Sequence, residues 1–157
     1  MDSTASFDPE VYSYPHGTHL AAIEVDTETG AVSIRKYVAV DDIGKVINPL
    51  IVDGQVHGGL TQGIAQALFE EAVYDDNGTL VTGSFVDYLV PSAADLVDFV
   101  TDRTESPALY NELGAKGVGE MPIDGPAPAI VNALRHVGFD VRAIPATPER
   151  LMKAARL

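Results

Sequence analysis

The sequence predicts an α+β fold, and three observations lead to this prediction. Two stretches near the beginning, 18–26 and 31–41, place apolar side chains at alternate positions, which is typical of strands. Two later stretches, one from 49 to about 72 and one after 126, repeat apolar side chains at the helical period. The order of these elements lacks the regular alternation of a doubly wound sheet, so we expect an α+β rather than an α/β domain.

The two alternating stretches predict an antiparallel hairpin. Ile23, Val25, Val32 and Ile34 fall on one face of it. The intervening residues, 27–30, end in glycine and suit a tight turn. We therefore expect two paired strands that turn this apolar face toward the core.

The first helix has a clear start in the sequence. Asn48 can cap the free amides of a first turn, and Pro49 loses no needed hydrogen bond at the first helical position. Val56, Leu60 and Ile64 then follow the helical period. We predict a glycine-rich helix from Pro49 to about position 72.

The middle of the chain is less regular. A turn is expected at 75–78, where Asp, Asn and Gly cluster, with a short strand at 80–82. Residues 83–125 are rich in Gly, Pro and Asp, which indicates loops around one or two strands. One of these strands is predicted at 96–100 from its alternating pattern.

The last part of the chain predicts a mixed α/β lobe. Apolar residues at helical spacing after Pro126 stop at Gly138, where a left-handed cap is natural. An extended piece at 140–144 and a short helix at 148–155 complete the prediction. Residues 1–157 are expected to form one domain, or two small lobes that meet near 75–83.

The charge of the chain excludes some classes of partner. Asp and Glu number 23 against 10 Lys and Arg, which gives a net charge of -13. This charge repels nucleic acid and anionic membranes, so neither is an expected partner. The charge is typical of a solvated acidic face and would also suit high salt. There is no long apolar run and the start is polar and acidic, so we expect no membrane span, no signal peptide and a cytoplasmic protein.

The chain contains no cysteine. It can therefore form no disulfide bond, no thiolate zinc site and no iron–sulfur cluster of its own. Any redox centre must lie in another chain or in a bound cofactor.

The first candidate site is the glycine-rich helix segment, 53–68. A glycine inside a helix costs about 1 kcal/mol relative to alanine, and close approach of a ligand or another backbone is the usual compensation. The glycines are Gly54, Gly58, Gly59 and Gly63, and the amide side chains near them are Gln55, Gln62 and Gln66. The stripe could bind a polar ligand, or it could be a helix contact with exposed glutamines. His57 has no matching ligand nearby in sequence and is interpreted as structural or surface-exposed.

The second candidate site is the loop GAKGVGE at 114–120. Its three glycines let the main chain approach a ligand and present amides to it, as anion-binding loops do, although it matches neither a P-loop nor a dinucleotide motif. Glu120 at its end could act as a general base or be an exposed loop glutamate. Asp41, Asp42 and Asn48 could likewise form turn hydrogen bonds or contact a ligand.

Read in order, these segments resemble the molybdopterin-binding C-terminal part of the large subunit of the xanthine oxidase and aerobic carbon monoxide dehydrogenase family. The resemblance covers nearly the whole chain and departs from the family at Ile43, where many relatives have Cys. A long upstream part of the family's large subunit is missing here. The segments that carry the resemblance are VDDIGKVINPLIVDGQVHGG, TQGIAQALFEE, YDDNGTLVTGSFVDYLVPSAADL, LGAKGVGEMP and TPERL.

The resemblance implies a molybdenum-cofactor-binding domain in a molybdenum-dependent oxidoreductase. The cofactor would be molybdenum held by molybdopterin cytosine dinucleotide, with no metal ligand from the protein. Glu120 would be the catalytic base. The cofactor would be lined by Lys116, Gly117, Val118 and Gly119, and its pterin or dinucleotide part would be contacted by Gln55, Asp41 and Asn48.

The resemblance also implies partners. The upstream half of the large subunit would complete the site, and an iron–sulfur subunit and an FAD subunit would carry electrons away. The substrate would be a small molecule such as carbon monoxide, an aldehyde or an N-heterocycle.

Two alternatives to this function remain open. One is a non-catalytic remnant or interaction domain with the same fold, and the other is a small ligand-binding module for an unrelated nucleotide.

Overall fold

The structure is a computed structural model that describes residues 2–8 and 11–154. Three strands and four α-helices are present in this part of the chain, with one short 3₁₀ turn at Ala93–Asp95. The strands are β1 (His16–Val25), β2 (Val32–Asp42) and β3 (Phe99–Thr104), and the helices are α1 (Pro49–Leu68), α2 (Met121–Asp124), α3 (Pro126–His136) and α4 (Pro148–Ala154). The α+β prediction is confirmed.

The sheet has the order β1-β2-β3. The predicted antiparallel hairpin is confirmed: Ile23 pairs with Ile34 and Val25 with Val32, and all four pack partly buried against the core. β3 then adds to β2 in parallel, with Tyr37 opposite Phe99 at the start of the pairing. The strand predicted at 96–100 is thus displaced to 99–104, because pairing with β2 begins only at Phe99.

Helix α1 begins at Pro49, as predicted. The side-chain oxygen of Asn48 accepts hydrogen bonds from the amides of Leu50 and Ile51, at 3.1 and 3.4 Å, and so caps the first turn. The helix ends at Leu68, before the predicted position 72. The sequence continues with two glutamates, 70 and 71, and negative charge is unfavourable at the negative end of a helix dipole.

Two predicted strands are absent from the described part of the chain. At 80–82 there is only an isolated bridge between Tyr74 and Leu80, which closes the predicted turn. At 140–144 no strand forms, because the carbonyl oxygen of Val141 accepts from the guanidinium of Arg135 at 2.7 and 3.1 Å instead of pairing in a sheet.

The later helices agree with the sequence except for α2, which was not predicted. Helix α3 is followed by Gly138 in the left-handed region, with φ of 104°, as expected for a C-terminal cap. Helix α4 matches the predicted short helix up to Ala154, and position 155 lies outside the described residues. None of the helices in residues 2–8 and 11–154 is long and apolar enough to cross a membrane.

One hydrophobic cluster connects the sheet with the helices. It draws on both sides of the boundary predicted near 75–83, since α1 lies before it and α3 and α4 lie after it. Its fully buried members include Tyr37, Leu60, Ile64, Ile130, Leu134 and Leu151. This core holds the end of β2, α1 and α2 near one another, and the candidate site lies there.

Candidate cofactor-binding and active site

The glycine loop, residues 114–120, is attached to the turn that follows β2. The amide of Lys116 donates to the carbonyl oxygen of Ile43 at 2.8 Å. Gly44 has a φ of 65°, and a side chain at this position would overlap the carbonyl oxygen of Gly114. The close approach of two backbones therefore requires glycine at position 44 and fixes the base of the loop.

The tip of the loop is open and lies beside α1. Gly117 and Glu120 are exposed, and a Cβ atom added to Gly117 would meet nothing within 4 Å. A Cβ atom added to Gly119 would lie 3.4 Å from the side-chain oxygen of Gln55. The structure thus brings Gln55 together with the loop that carries Glu120, while Val118 packs partly buried against the core.

Lys116 is turned inward. Its Nζ atom lies 2.9 Å from Oδ1 of Asp42, and the side chains are 10% and 1% exposed. The amide of Gly44 and the hydroxyl of Thr104 also donate to Asp42, at 3.0 and 3.1 Å. Burial raises the pKa of Asp42, but hydrogen bonds from Lys116, Gly44, Ser106 and Thr104 outweigh it and hold the pKa well below its usual range. The ammonium group of Lys116 is therefore engaged inside the chain.

Asp41 is buried beside Asp42. Its Oδ1 atom lies 3.0 Å from Nε2 of His19, and Nδ1 of His19 lies 3.0 Å from the hydroxyl of Tyr37. Burial, and then the charge of Asp41, raises the pKa of Tyr37, so this hydroxyl stays protonated. In this chain Asp41 has a protein partner and almost no exposed surface.

Asn48 is exposed but already has a structural role, since its side-chain oxygen caps α1. His57 is exposed as well, and its ring centroid lies 5.9 Å from that of Phe99. Residues 2–8 and 11–154 contain no group of three His, Cys, Asp or Glu side chains that could hold a metal ion. A metal at this site would need ligands from a cofactor or from another part of the protein.

The glycines of α1 divide into two pairs. A Cβ atom on Gly59 would lie 2.7 Å from Cβ of Pro122, and one on Gly63 would lie 2.5 Å from the carbonyl oxygen of Ile123. Added Cβ atoms on Gly54 and Gly58 would meet nothing within 4 Å. One pair therefore accommodates α2, and the other leaves the exposed side of α1 without side chains.

This division predicts opposite effects of the same substitution on one helix. Gly58→Ala is expected to raise the free energy of unfolding by about 0.5 to 1 kcal/mol, because alanine favours the helix and has free space here. Gly63→Ala is expected to lower it by about 1 to 3 kcal/mol, because its methyl group would press on the backbone of Ile123. Urea unfolding of the purified chain measures both, and changes of the same sign would contradict the assignment.

Sequence reasoning missed two features of this region. It did not find the ion pair of Asp42 with Lys116 or the hydrogen-bonded set of His19, Tyr37 and Asp41. The only sequence signal was the pair of adjacent acids at the end of a strand, and nothing local indicates that both are buried. The exposed surface that remains combines open main chain, an amide side chain and a carboxylate, which can bind a large polar ligand and transfer a proton.

Comparison with known proteins gives consistent matches. A family model described as the molybdopterin cofactor-binding domain matches residues 1–97. The chain is 36% identical to the carbon monoxide dehydrogenase large chain of Hydrogenophaga pseudoflava, over 99% of this chain and 20% of that protein. It is 35% identical to the nicotine 6-hydroxylase large subunit of Paenarthrobacter nicotinovorans, again over 99% of this chain and 20% of that protein.

The fold comparison agrees. The structure of reconstituted CO dehydrogenase from Oligotropha carboxidovorans superposes with a TM-score of 0.89 at 37% identity, covering 94% of this chain and 19% of that chain. The chain therefore spans about a fifth of the length of the relatives that it matches.

Proposed function

The chain belongs to the molybdopterin cofactor-binding family found in the large subunits of carbon monoxide dehydrogenase and related molybdenum hydroxylases, and from this premise we propose its role. It is one part of a molybdenum-dependent oxidoreductase that binds molybdopterin cytosine dinucleotide and supplies Glu120 as the active-site base. The observation that carries the proposal is the exposed Glu120 at the end of an open glycine loop, next to the amide of Gln55.

The exposed surface fits such a cofactor. Positions 54, 58 and 117 have free space where a side chain would otherwise stand, so a large planar ligand can approach the main chain closely. The described residues offer no cluster of metal ligands, which suits a metal that the cofactor itself coordinates. When bound, the molybdenum cofactor supplies the two-electron redox chemistry.

The residues of this chain would orient the cofactor and move a proton. Gly117, Val118, Gly119 and Lys116 would line the cofactor through their main chain, since the ammonium group of Lys116 is already paired. Gln55 would add a side-chain amide. Asp41 and Asn48 would support the pterin or dinucleotide part of the cofactor through the hydrogen bonds that they make inside the chain.

Glu120 would act as a general base. Its carboxylate oxygen would accept the proton of the oxygen nucleophile and so raise the reactivity of that oxygen toward the substrate carbon. The glycine at 119 and the adjacent Gln55 would hold the carboxylate at the edge of the cofactor. The substrate is a small molecule, and the relatives include enzymes named for carbon monoxide and for nicotine.

An exposed apolar arm, residues 81–90, supports the proposed partners. Phe85 and Val86 are 84% and 85% exposed, and Leu89 and Val90 are more than half exposed. Several exposed apolar side chains close together in the chain are typical of an interaction surface, and the chain spans only a fifth of its relatives. We propose that this arm binds the upstream part of the large subunit, with iron–sulfur and FAD subunits completing the complex.

The proposed location is the cytoplasm, because the net charge of -13 disfavours contact with anionic membranes.

Cofactor content tests the proposal. The chain is produced alone and together with an upstream part of the large subunit, and each product is assayed for molybdenum and for the nucleotide released by acid hydrolysis. We expect little molybdenum in the chain alone, because it spans only about a fifth of its relatives, and stoichiometric molybdenum with cytidine monophosphate in the assembled protein. An assembled protein without molybdenum would contradict the proposed role, and release of another nucleotide would contradict the cytosine form.

A further inference from the structure

Helix α2, which follows Glu120 directly, is held from two sides. On one side α2 lies against α1, where Gly59 and Gly63 allow Pro122 and Ile123 to approach. On the other side Gly125, between α2 and α3, lies directly against the imidazole ring of His19, which would overlap any side chain at position 125. The two contacts together fix the position of α2, which begins directly after Glu120.

The ring of His19 is itself fixed by two hydrogen bonds. A carboxylate can only accept, so Nε2 of His19 carries the hydrogen and donates to Asp41 at 3.0 Å. Nδ1 is then free to accept from the protonated hydroxyl of Tyr37, at 3.0 Å. Tyr37 is fully buried and the side chain of His19 is 5% exposed, so both bonds are shielded from water.

The surroundings also favour one orientation of this ring. Gly17 lies opposite Asp41 in the sheet, and a side chain there would overlap Oδ1 of Asp41. A cavity of about 330 Å³ lies beside the turn, lined by Gly17, His19, Met121 and Asp124 among others. On this flank the turn between α2 and α3 borders the ring of His19 and the cavity.

We propose that His19, held between Asp41 and Tyr37, is the positioning residue that fixes the turn between α2 and α3 and thereby directs Glu120 toward its site. The catalytic half of this inference rests on the proposed function of Glu120. The structural half stands on the contacts of His19 with Gly125, Asp41 and Tyr37 alone.

Tyr37→Phe is the most informative change, because it keeps the ring volume and removes only the hydroxyl that orients His19. In the purified chain, hydrogen exchange of the amides of Met121 and of 123–125 is expected to rise about tenfold relative to core amides of α1, as for loss of one hydrogen bond. His19→Leu should raise this exchange more than Tyr37→Phe does. His19→Gln should raise it less than His19→Leu, because glutamine retains a donor for Asp41. His16→Ala, an exposed position on the same strand, is the matched control.

In the assembled enzyme Tyr37→Phe is expected to lower kcat three- to tenfold, with KM and molybdenum content unchanged. The inference is overturned if exchange at 121–125 follows that of the His16→Ala control. It is also overturned if exchange rises and kcat stays normal while Glu120→Gln abolishes turnover. If Glu120→Gln itself remains active, the proposed function has failed, and the exchange measurement alone then decides whether His19 fixes the turn.

Discussion

Replacing Glu120 by Gln in the assembled enzyme is expected to lower kcat by roughly 10²- to 10⁴-fold while molybdenum remains bound. Glutamine has nearly the same shape as glutamate but cannot accept the proton of the nucleophile. The side chain is exposed, so the substitution should change the packing little. The loss should therefore appear in kcat rather than in stability or cofactor content, and steady-state kinetics with a molybdenum assay separates these.

Glu28→Gln is the matched control for this experiment. Glu28 is also an exposed glutamate in a turn, but it lies at the opposite end of the hairpin from the glycine loop. The control should retain full turnover because only the net charge changes. A Glu120→Gln enzyme with a near-normal rate would remove Glu120 from the mechanism, and one without molybdenum would make it a cofactor ligand instead of a base.

Local signals in the sequence were sufficient for the hairpin and for the start of α1. Alternation between Ile23 and Ile34 and the cap formed by Asn48 depend only on neighbouring residues. The pairing of β3 with β2 is different, because it joins Asp42 to Thr104, 62 residues further along the chain. No residue pattern near 99–104 indicates which strand β3 will pair with. The predicted limits of this strand, 96–100, were therefore wrong by a few residues.

The glycines of α1 show how far spacing alone can go. Gly54 and Gly58 are four residues apart, as are Gly59 and Gly63, so each pair shares a face of the helix. The two pairs lie on different faces, because Gly54 and Gly59 are five residues apart and this spacing does not return to the same face of a helix. The sequence therefore contained two small-residue faces, but only the packing of α2 shows which of them is covered.

The buried acids were the least predictable part of the site. Asp41 and Asp42 are adjacent in a strand, where successive side chains point to opposite faces, yet both are buried. Their partners, His19 and Lys116, lie 22 and 74 residues away. Such pairs are decided by tertiary structure, so residue type and spacing left open whether these acids form internal hydrogen bonds or contact a ligand.

The ion pair of Lys116 with Asp42 leads to the second large expected effect. Lys116→Met keeps most of the side-chain volume but leaves the carboxylate of Asp42 buried without its cation. Removing one partner of a buried pair typically lowers the free energy of unfolding by 3 to 5 kcal/mol. We expect a loss of about 3 kcal/mol at pH 7, because Gly44 and Thr104 still donate hydrogen bonds to Asp42. Urea unfolding of the purified chain measures this loss.

The loss should depend on pH in a defined direction. In the unchanged chain burial raises the pKa of Asp42 but the hydrogen bonds outweigh it, so the folded pKa lies below the unfolded value of about 3.9. Its stabilisation is therefore complete above that value and is lost as the pH falls through the folded pKa. In Lys116→Met the folded pKa of Asp42 rises, so protonation on acidification relieves the unpaired charge.

The difference in free energy of unfolding between the unchanged chain and Lys116→Met should therefore become smaller as the pH falls from 7 to 4. Lys45→Met is the control, because Lys45 is exposed and lies next to the same glycine loop, and it should change stability by less than about 0.5 kcal/mol. Adding Asp42→Asn to Lys116→Met should recover part of the loss, since no buried charge then remains. A small loss at pH 7 would show that the pair does not hold the base of the glycine loop, and an equal loss at both pH values would show that Asp42 does not become protonated in this range.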